Sequence, residues 1–228
     1  MKSRLAIIPA RGGSKRIPNK NIKSFCGVPM LERTLRLVSG VGLFSDIHVS
    51  TDSEDVYSLA SSCGHQPLFM RPASLADDHS ALAEVTRFVL SKYSVLSNRS
   101  FDEVWLILPC SPFLVKEDLI SIAELLRIHQ DPVMTMARYC APIQWAHRIS
   151  NEGLVKPVYP DQLAVRSQDL EDMFYETGNI VAYPNISICN DMDTSYRPHL
   201  IPKHRAIDID DAEDWAKAES LYKVLESR

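Results

Sequence analysis

The chain has 228 residues, 45% of them hydrophobic and 24% charged, with 25 basic against 29 acidic residues and a formal net charge of −4. Such a length and balance suit one large globular domain that buries about 70% of its unfolded surface without disulfides, and they exclude a disordered or fibrous chain. A net acidic chain is no whole-surface nucleic-acid binder, and with no apolar run near 18 residues no membrane span is expected.

Apolar runs then alternate with helical patterns. Leu5-Ala6-Ile7-Ile8 reads as a short buried strand stopped by Pro9. This run is too short for a signal peptide's core, so no leader is expected. A loop follows to about Pro29, and Met30, Leu31, Leu35 and Val38 then recur at helical spacing. Residues 46–51 (DIHVST) predict a strand, and 52–62 a helix capped by Ser53. A further short strand is expected at 67–70. Leu82, Val85, Val89 and Leu96 mark a helix over 80–96, and the continuous run VWLIL at 104–108 suits a central parallel strand. A helix at 115–128, a strand at 133–137, a strand at 205–209 and a helix at 211–226 complete the series.

Strand–helix alternation at this spacing argues for an α/β fold, an open and mostly parallel sheet with helices on both faces. Residues 138–198 break the rhythm with five prolines and short strand-like pieces such as Ile180-Val181-Ala182-Tyr183. They read as an insertion within one domain spanning 1–228, building a pocket wall, a dimer contact or both. The five cysteines (Cys26, Cys63, Cys110, Cys140, Cys189) form no C-x-x-C pair. Neither a zinc site nor a disulfide framework is suggested, which fits reduced thiols in the cytoplasm.

The charge is unevenly spread. Residues 11–23, RGGSKRIPNKNIK, hold five basic residues and no acidic one, directly after the first strand. Ligands of open α/β sheets bind just beyond the carboxyl ends of strands. Gly12 and Gly13 let the backbone come close to a ligand, and several cations on one loop call for a multiply charged partner such as a triphosphate. The alternative is a solvated basic loop. Neither a Walker A loop nor a dinucleotide fingerprint is present.

Acidic residues gather near the other end, in Asp208-Ile209-Asp210-Asp211. On a strand, Asp208 and Asp210 share one face while Ile207 and Ile209 turn to the core. Two adjacent carboxylates repel unless a cation sits between them, so the pair points to a hard divalent ion, magnesium above all. The alternative is a solvated strand end. Asp211 reads as the cap of the last helix. A rival pair, Asp191 and Asp193, would suit a D-x-D glycosyltransferase but reads as loop. In the third cluster, Asp78 or Ser80 reads as a helix cap.

The run Ile7-Ile8-Pro9-Ala10-Arg11-Gly12-Gly13-Ser14-Lys15-Arg16-Ile17-Pro18-Asn19-Lys20-Asn21 resembles the opening motif of the acylneuraminate cytidylyltransferases, or CMP-sialic acid synthetases. The similarity continues through Ser50-Thr51-Asp52, Arg71-Pro72-Ala73, Leu75 to Asp78, Ser111-Pro112, Arg166-Ser167-Gln168-Asp169 and Ile207-Asp208-Ile209-Asp210. Where the sialic acid members read L-Q-P-T-S-P, this chain has Ile107-Leu108-Pro109-Cys110-Ser111-Pro112. Leu108 thus stands in place of a glutamine associated with the sugar. Residues 166–170 and 175–178 look more like the pseudaminic acid cytidylyltransferase branch.

The resemblance implies a nucleotide-diphospho-sugar transferase-like, Rossmann-like fold with a protruding dimerisation segment, and hence a homodimer. It implies transfer of CMP from CTP to the anomeric hydroxyl of a nine-carbon 2-keto sugar acid, releasing pyrophosphate. Pseudaminate is the first acceptor; N-acetylneuraminate, legionaminate or an eight-carbon relative are alternatives, and a nucleotide-binding module without turnover is a further one. Carried over by position, Arg11, Lys15 and Lys20 are catalytic. Ala10, Gly12, Gly13, Ser14, Asn21, Arg71 and Asp78 join them around the nucleotide. Ser111, Arg166, Gln168 and Tyr175 approach the sugar, and Asp208 and Asp210 hold magnesium. The chemistry suits these residue types, because charge develops on the phosphoryl oxygens and the departing pyrophosphate. Lys15 and Lys20 act there as point charges, and Arg11 can bind bidentately.

Overall fold

The computed structural model describes residues 2–77, 80–184 and 195–226. In chain order these form β1 (Arg4–Pro9), β2 (Ser24–Phe25), β3 (Val28–Pro29), α1 (Met30–Gly40), β4 (Asp46–Ser50), α2 (Glu54–Ser62), α3 (Leu82–Ser97), β5 (Glu103–Ile107), α4 (Lys116–His129), β6 (Val133–Arg138), β7 (His147–Ile149), β8 (Val155–Pro157), β9 (Phe174–Tyr183), β10 (Arg197–Leu200) and α5 (Ala212–Glu226). Ser53 caps α2 as expected, its Oγ accepting the Val56 N–H at 3.4 Å. Asp211 caps α5, with Oδ1 2.9 Å from both the Glu213 and Asp214 amides.

Six strands form the central sheet in the order β10-β6-β9-β5-β1-β4. β1 pairs in parallel with both β4 and β5, and β10 in parallel with β6. The alternation along β1 divides the core: Ala6 and Ile8 join the side chains of α1, α2 and α4, while Leu5 and Ile7 join Val85, Val89 and Tyr93 of α3. Both faces are therefore covered, which explains why these strands read as unbroken apolar runs.

The 138–198 stretch differs from a simple appendage. It supplies β9, which lies antiparallel between β5 and β6 at the heart of the sheet. The β6–β9 register shifts between Met134 and Met136. Gly178 takes φ +66° there, a conformation natural to glycine, and the Thr135 hydroxyl oxygen accepts from the Ile180 amide (3.0 Å) and pairs with the Thr177 hydroxyl (2.9 Å). Among the described residues of this stretch, β7 and β8 form a separate two-stranded hairpin, the arm. Two expected strands are absent. Residues 67–70 form a loop whose Phe69 packs on the α3 side of the sheet. Residues 205–209 have no neighbour in any ladder, because β10 takes the edge beside β6 and Pro202, which lacks an N–H, follows it.

His48 on β4 is 1% exposed, and neither ring nitrogen has a hydrogen-bond partner. Its ring lies 4.4 Å from that of Phe69. Burial, and then the nearby Arg71 charge, pull its pKa down from 6.5 to about 4. The folded protein therefore refuses a proton that the unfolded chain accepts, so His48 erodes stability as pH falls from 6.5 towards 4. The loss should reach about 3 kcal/mol across that window. Urea unfolding of His48→Phe should show a flatter pH dependence there; an unchanged slope would assign the sensitivity to another group.

Candidate active site

The loop after β1 is shaped by its own anchors before it meets any ligand. Ile17 is 2% exposed and packs with Phe25, Met30, Phe113, Ile209, Trp215 and Ala218. Asn19 adopts φ +54° and its carbonyl accepts from the Ile22 and Lys23 amides, closing the turn that presents Lys20. Asn21 is buried; its Nδ2 donates to the Arg11 carbonyl at 2.9 Å and ties the two ends of the loop. Gly12 is needed for packing: a Cβ there would fall 2.8 Å from Ser53 Cβ. Its amide donates to Asp52 Oδ1 at 3.0 Å. No atom lies within 4 Å of a Cβ built on Gly13. Ala10 is fully buried and donates to the Ser50 carbonyl at 2.9 Å.

The acidic segment meets this loop from the other end of the chain. Ile209 is fully buried beside Ile17, and Ile207 packs on the same cluster. The alternation expected of a strand thus survives without a strand: the isoleucines face the core and Asp208 and Asp210 face the loop. Lys20 Nζ donates to the Ile209 carbonyl at 2.7 Å and lies 3.9 Å from Asp210 Oδ1. Arg16 Nη2 reaches the same oxygen at 2.7 Å. Partial burial, and then the Asp210 charge, raise the Asp208 carboxyl above the ordinary carboxylate range.

Together these residues border a cleft of about 660 Å³ at the carboxyl end of β1. Arg11, Ser14, Lys15, Arg16, Lys20, Asn21 and Arg71 form its cationic and polar side. Leu75, Leu82, Val85 and Leu108 supply its apolar lining, and Asp208 and Asp210 join it, Asp210 in contact with Arg16. Arg71 is 7% exposed, its guanidinium bonded to Ser50 Oγ (3.1 Å) and to the Ser50 carbonyl. Burial lowers its pKa despite the opposing pull of Asp52. Arg11 donates to the Asp77 carbonyl at 2.9 Å. Cys110 joins the lining; burial drives its thiol up to about 11, so it stays a neutral wall.

The expected sugar contacts scatter. Ser111 is buried, its hydroxyl accepting from Asn179 Nδ2 at 2.8 Å. Tyr175 lies on β9, its ring 5.1 Å from Tyr139 and its hydroxyl donating to the Ala206 carbonyl at 3.4 Å. Gln168 borders a second hollow, of about 280 Å³, with Arg138, Tyr139 and Lys203. Arg166 is exposed and pairs with Asp169 at 2.8 Å. Asp78, Asp191 and Asp193 lie outside the described residues. Arg16, Leu82 and Val85 are not among the site residues expected from the sequence, whereas Leu108 is marked there by the motif position it occupies. Arg16's place in the basic run is a signal for it; Leu82 and Val85 on α3 have none.

Comparison with known proteins identifies the family and the fold. A family model described as cytidylyltransferase matches residues 5–180. The chain is 30% identical to a pseudaminic acid cytidylyltransferase of Campylobacter jejuni subsp. jejuni over 96% of both chains. It is 28% identical to a CMP-N,N'-diacetyllegionaminic acid synthase of Legionella pneumophila, again over 96% of both. Among solved structures, a CMP:2-keto-3-deoxy-manno-octonic acid synthetase complexed with CTP superposes with TM-score 0.70 at 15% identity, over 97% of this chain and 98% of that one. A 4-diphosphocytidyl-2C-methyl-D-erythritol synthase from Anaerococcus prevotii does so with TM-score 0.61 at 16% identity, over 97% and 99%. Both share the fold.

The anchoring of the basic loop is open to test through Ile17, which carries no charge. Ile17→Ala should cost about 3 kcal/mol of stability by urea unfolding. The folded variant should also bind a triphosphate more weakly, because Lys20 loses its fixed turn. Unchanged affinity would mean that the loop is held by its hydrogen bonds alone.

Proposed function

The chain belongs to the cytidylyltransferase family and is a CTP-dependent enzyme, and from that premise we propose that it transfers CMP from CTP to pseudaminate, releasing pyrophosphate, with the acid pair holding magnesium. The observation that carries this reading is the meeting of Lys20, Arg16, Asp208 and Asp210 at one cleft. The acceptor assignment is supported by the Campylobacter relative, whose length the chain matches almost entirely. The apolar lining of the cleft, Leu108 included, suits an acceptor bearing deoxygenated or acylated positions.

The acid pair fits a hard cation. Burial, and then repulsion from Asp210, raise the Asp208 carboxyl, and a divalent ion would offset both. Among the described residues no third acidic, histidine or cysteine side chain completes a cluster, so phosphate oxygens and water would fill the remaining positions, as magnesium prefers. Bound there, the ion would neutralise phosphate charge and lower the pKa of a coordinated hydroxyl.

The chain's own residues do the rest. Arg11, Lys15 and Lys20 line one side of the cleft, where they would grip the triphosphate and meet the charge that gathers on departing pyrophosphate. Asn21 keeps the loop closed behind them, and Arg71, already fixed by Ser50, would hold the nucleotide without reorganisation. Gly13 leaves open space for a phosphate to approach the backbone. Tyr175, whose hydroxyl meets the Ala206 carbonyl two residues before Asp208, would approach the sugar from β9, and Arg166 and Gln168 from the 166–169 turn.

The arm also supports a homodimer. Ile149, Leu154 and Val155 of the β7–β8 hairpin are 73%, 57% and 61% exposed, an apolar face that a second copy would cover. Light scattering should give twice the 25.7 kDa chain mass, and Ile149→Asp should halve it; a monomeric parent protein would reject this. Because a nucleoside triphosphate is the substrate, we place the work in the cytoplasm, which cell fractionation checks.

The decisive assay is pyrophosphate release across CTP, UTP, ATP and GTP, with pseudaminate, legionaminate and N-acetylneuraminate as acceptors. CTP with pseudaminate should be fastest. Asp210→Ala should lose at least ~10²-fold in rate at saturating CTP while remaining folded. Near-normal turnover by that variant would overturn the metal assignment.

A further inference from the structure

Residues 201–210 carry the acid pair but pair with no strand, so their course must be set by something other than a ladder. The Ile201 amide makes the last backbone link to the sheet, donating to the Met136 carbonyl at 2.8 Å, and beyond it the Tyr175 hydroxyl of β9 donates to the Ala206 carbonyl at 3.4 Å. Arg205, four residues on, turns inward onto Asp118, in the first turn of α4. The contact is bidentate: Nη1 to Oδ2 at 2.6 Å and Nη2 to Oδ1 at 3.1 Å. The same carboxylate accepts the Val115 amide at 3.0 Å and meets His199 Nε2 at 3.0 Å. Arg205 Nη1 also donates to the Phe113 carbonyl at 3.2 Å, and Phe113 packs in the cluster that holds Ile209.

Asp118 is 3% exposed. Burial alone would raise its pKa, yet the His199 and Arg205 hydrogen bonds prevail and hold the carboxyl down at about 2. Neither Asp118 nor Arg205 lines the cleft. A buried ion pair adds little net stability over an apolar pair of the same volume. What a forked guanidinium on a fixed carboxylate does add is a single allowed orientation.

We propose that Asp118 and Arg205 are positioning residues: their partly buried pair fixes the root of the 206–210 segment and thereby sets the Asp208–Asp210 couple at its working distance from Lys20. The inference rests on the reading of that couple as the cation's holder. It predicts that loosening a contact outside the cleft weakens metal binding without touching the cationic side of the cleft.

Free Mn²⁺ measured by electron paramagnetic resonance, titrated into enzyme with CTP present, tests it on Arg205→Lys and Asp118→Asn. Asp208→Asn and Asp210→Asn serve as references. Both clamp variants should weaken Mn²⁺ binding by roughly tenfold while CTP affinity without divalent ions stays within about twofold. Arg205→Lys keeps the charge and loses only the fork, so it decides the matter if Asp118→Asn proves too unstable. Clamp variants that bind Mn²⁺ like the parent, while Asp208→Asn does not, would overturn the proposal, even if they unfold more readily. If Asp208→Asn and Asp210→Asn themselves leave Mn²⁺ binding unchanged, it is the reading of the acid pair that fails.

Discussion

The apolar cluster that takes in both Ile17 and Ile209, closed over by the Lys20–Ile209 hydrogen bond, joins parts of the chain almost two hundred residues apart. Everything at the cleft depends on it. Fully burying each isoleucine is worth about 1.5–3 kcal/mol, and the rings around them add directional contacts: Phe25 meets Trp215 and Tyr222 edge to face, each at 5.5 Å. Lys23 Nζ lies 4.5 Å above the Trp215 ring. An apolar cluster under the site thus fixes where the charges stand, so their mutual geometry need not be bought back when a ligand arrives.

Above that cluster the opposite charges meet. Arg16 and Lys20 both address Asp210, whereas Asp208 is held above the ordinary carboxylate range by burial and by its neighbour. A polyphosphate entering the cleft competes for the same cations that now balance Asp210. A divalent ion would compensate the carboxylates as those cations turn to phosphate. The two halves of the site are therefore electrostatically linked, and neither is complete by itself.

Much of this was legible in the sequence because it follows from local rules. The apolar runs of β1, β4, β5 and β6, the Ser53 and Asp211 caps and the alternation of Ile207 and Ile209 with Asp208 and Asp210 need only a few neighbouring residues to be seen. The parts that were not legible are set by distant partners. β9 reads as a short fragment within a proline-rich stretch, because its place between β5 and β6 rests on Thr135 and the Gly178 backbone. Residues 205–209 have a strand's alternation but are drawn off the sheet by Asp118 and by the cluster around Ile209. Arg166, Gln168 and Tyr175 are linked in the sequence by family likeness rather than by any pattern of spacing; in the fold Gln168 and Tyr175 both adjoin Tyr139, while Arg166 is exposed and pairs with Asp169.

The central claim is that cations from the front of the chain and carboxylates from its tail act on one polyphosphate. Phosphorus NMR of enzyme-bound CTP, with Mn²⁺ in place of magnesium, addresses it directly. With CTP held below the enzyme concentration, the phosphate resonances should broaden at Mn²⁺ concentrations well below those that broaden free CTP, and an Asp208→Asn, Asp210→Asn double variant still able to bind CTP should need as much Mn²⁺ as free CTP. A double variant that broadens at the parent's low Mn²⁺ concentration, or a parent enzyme that needs as much as free CTP, would contradict this.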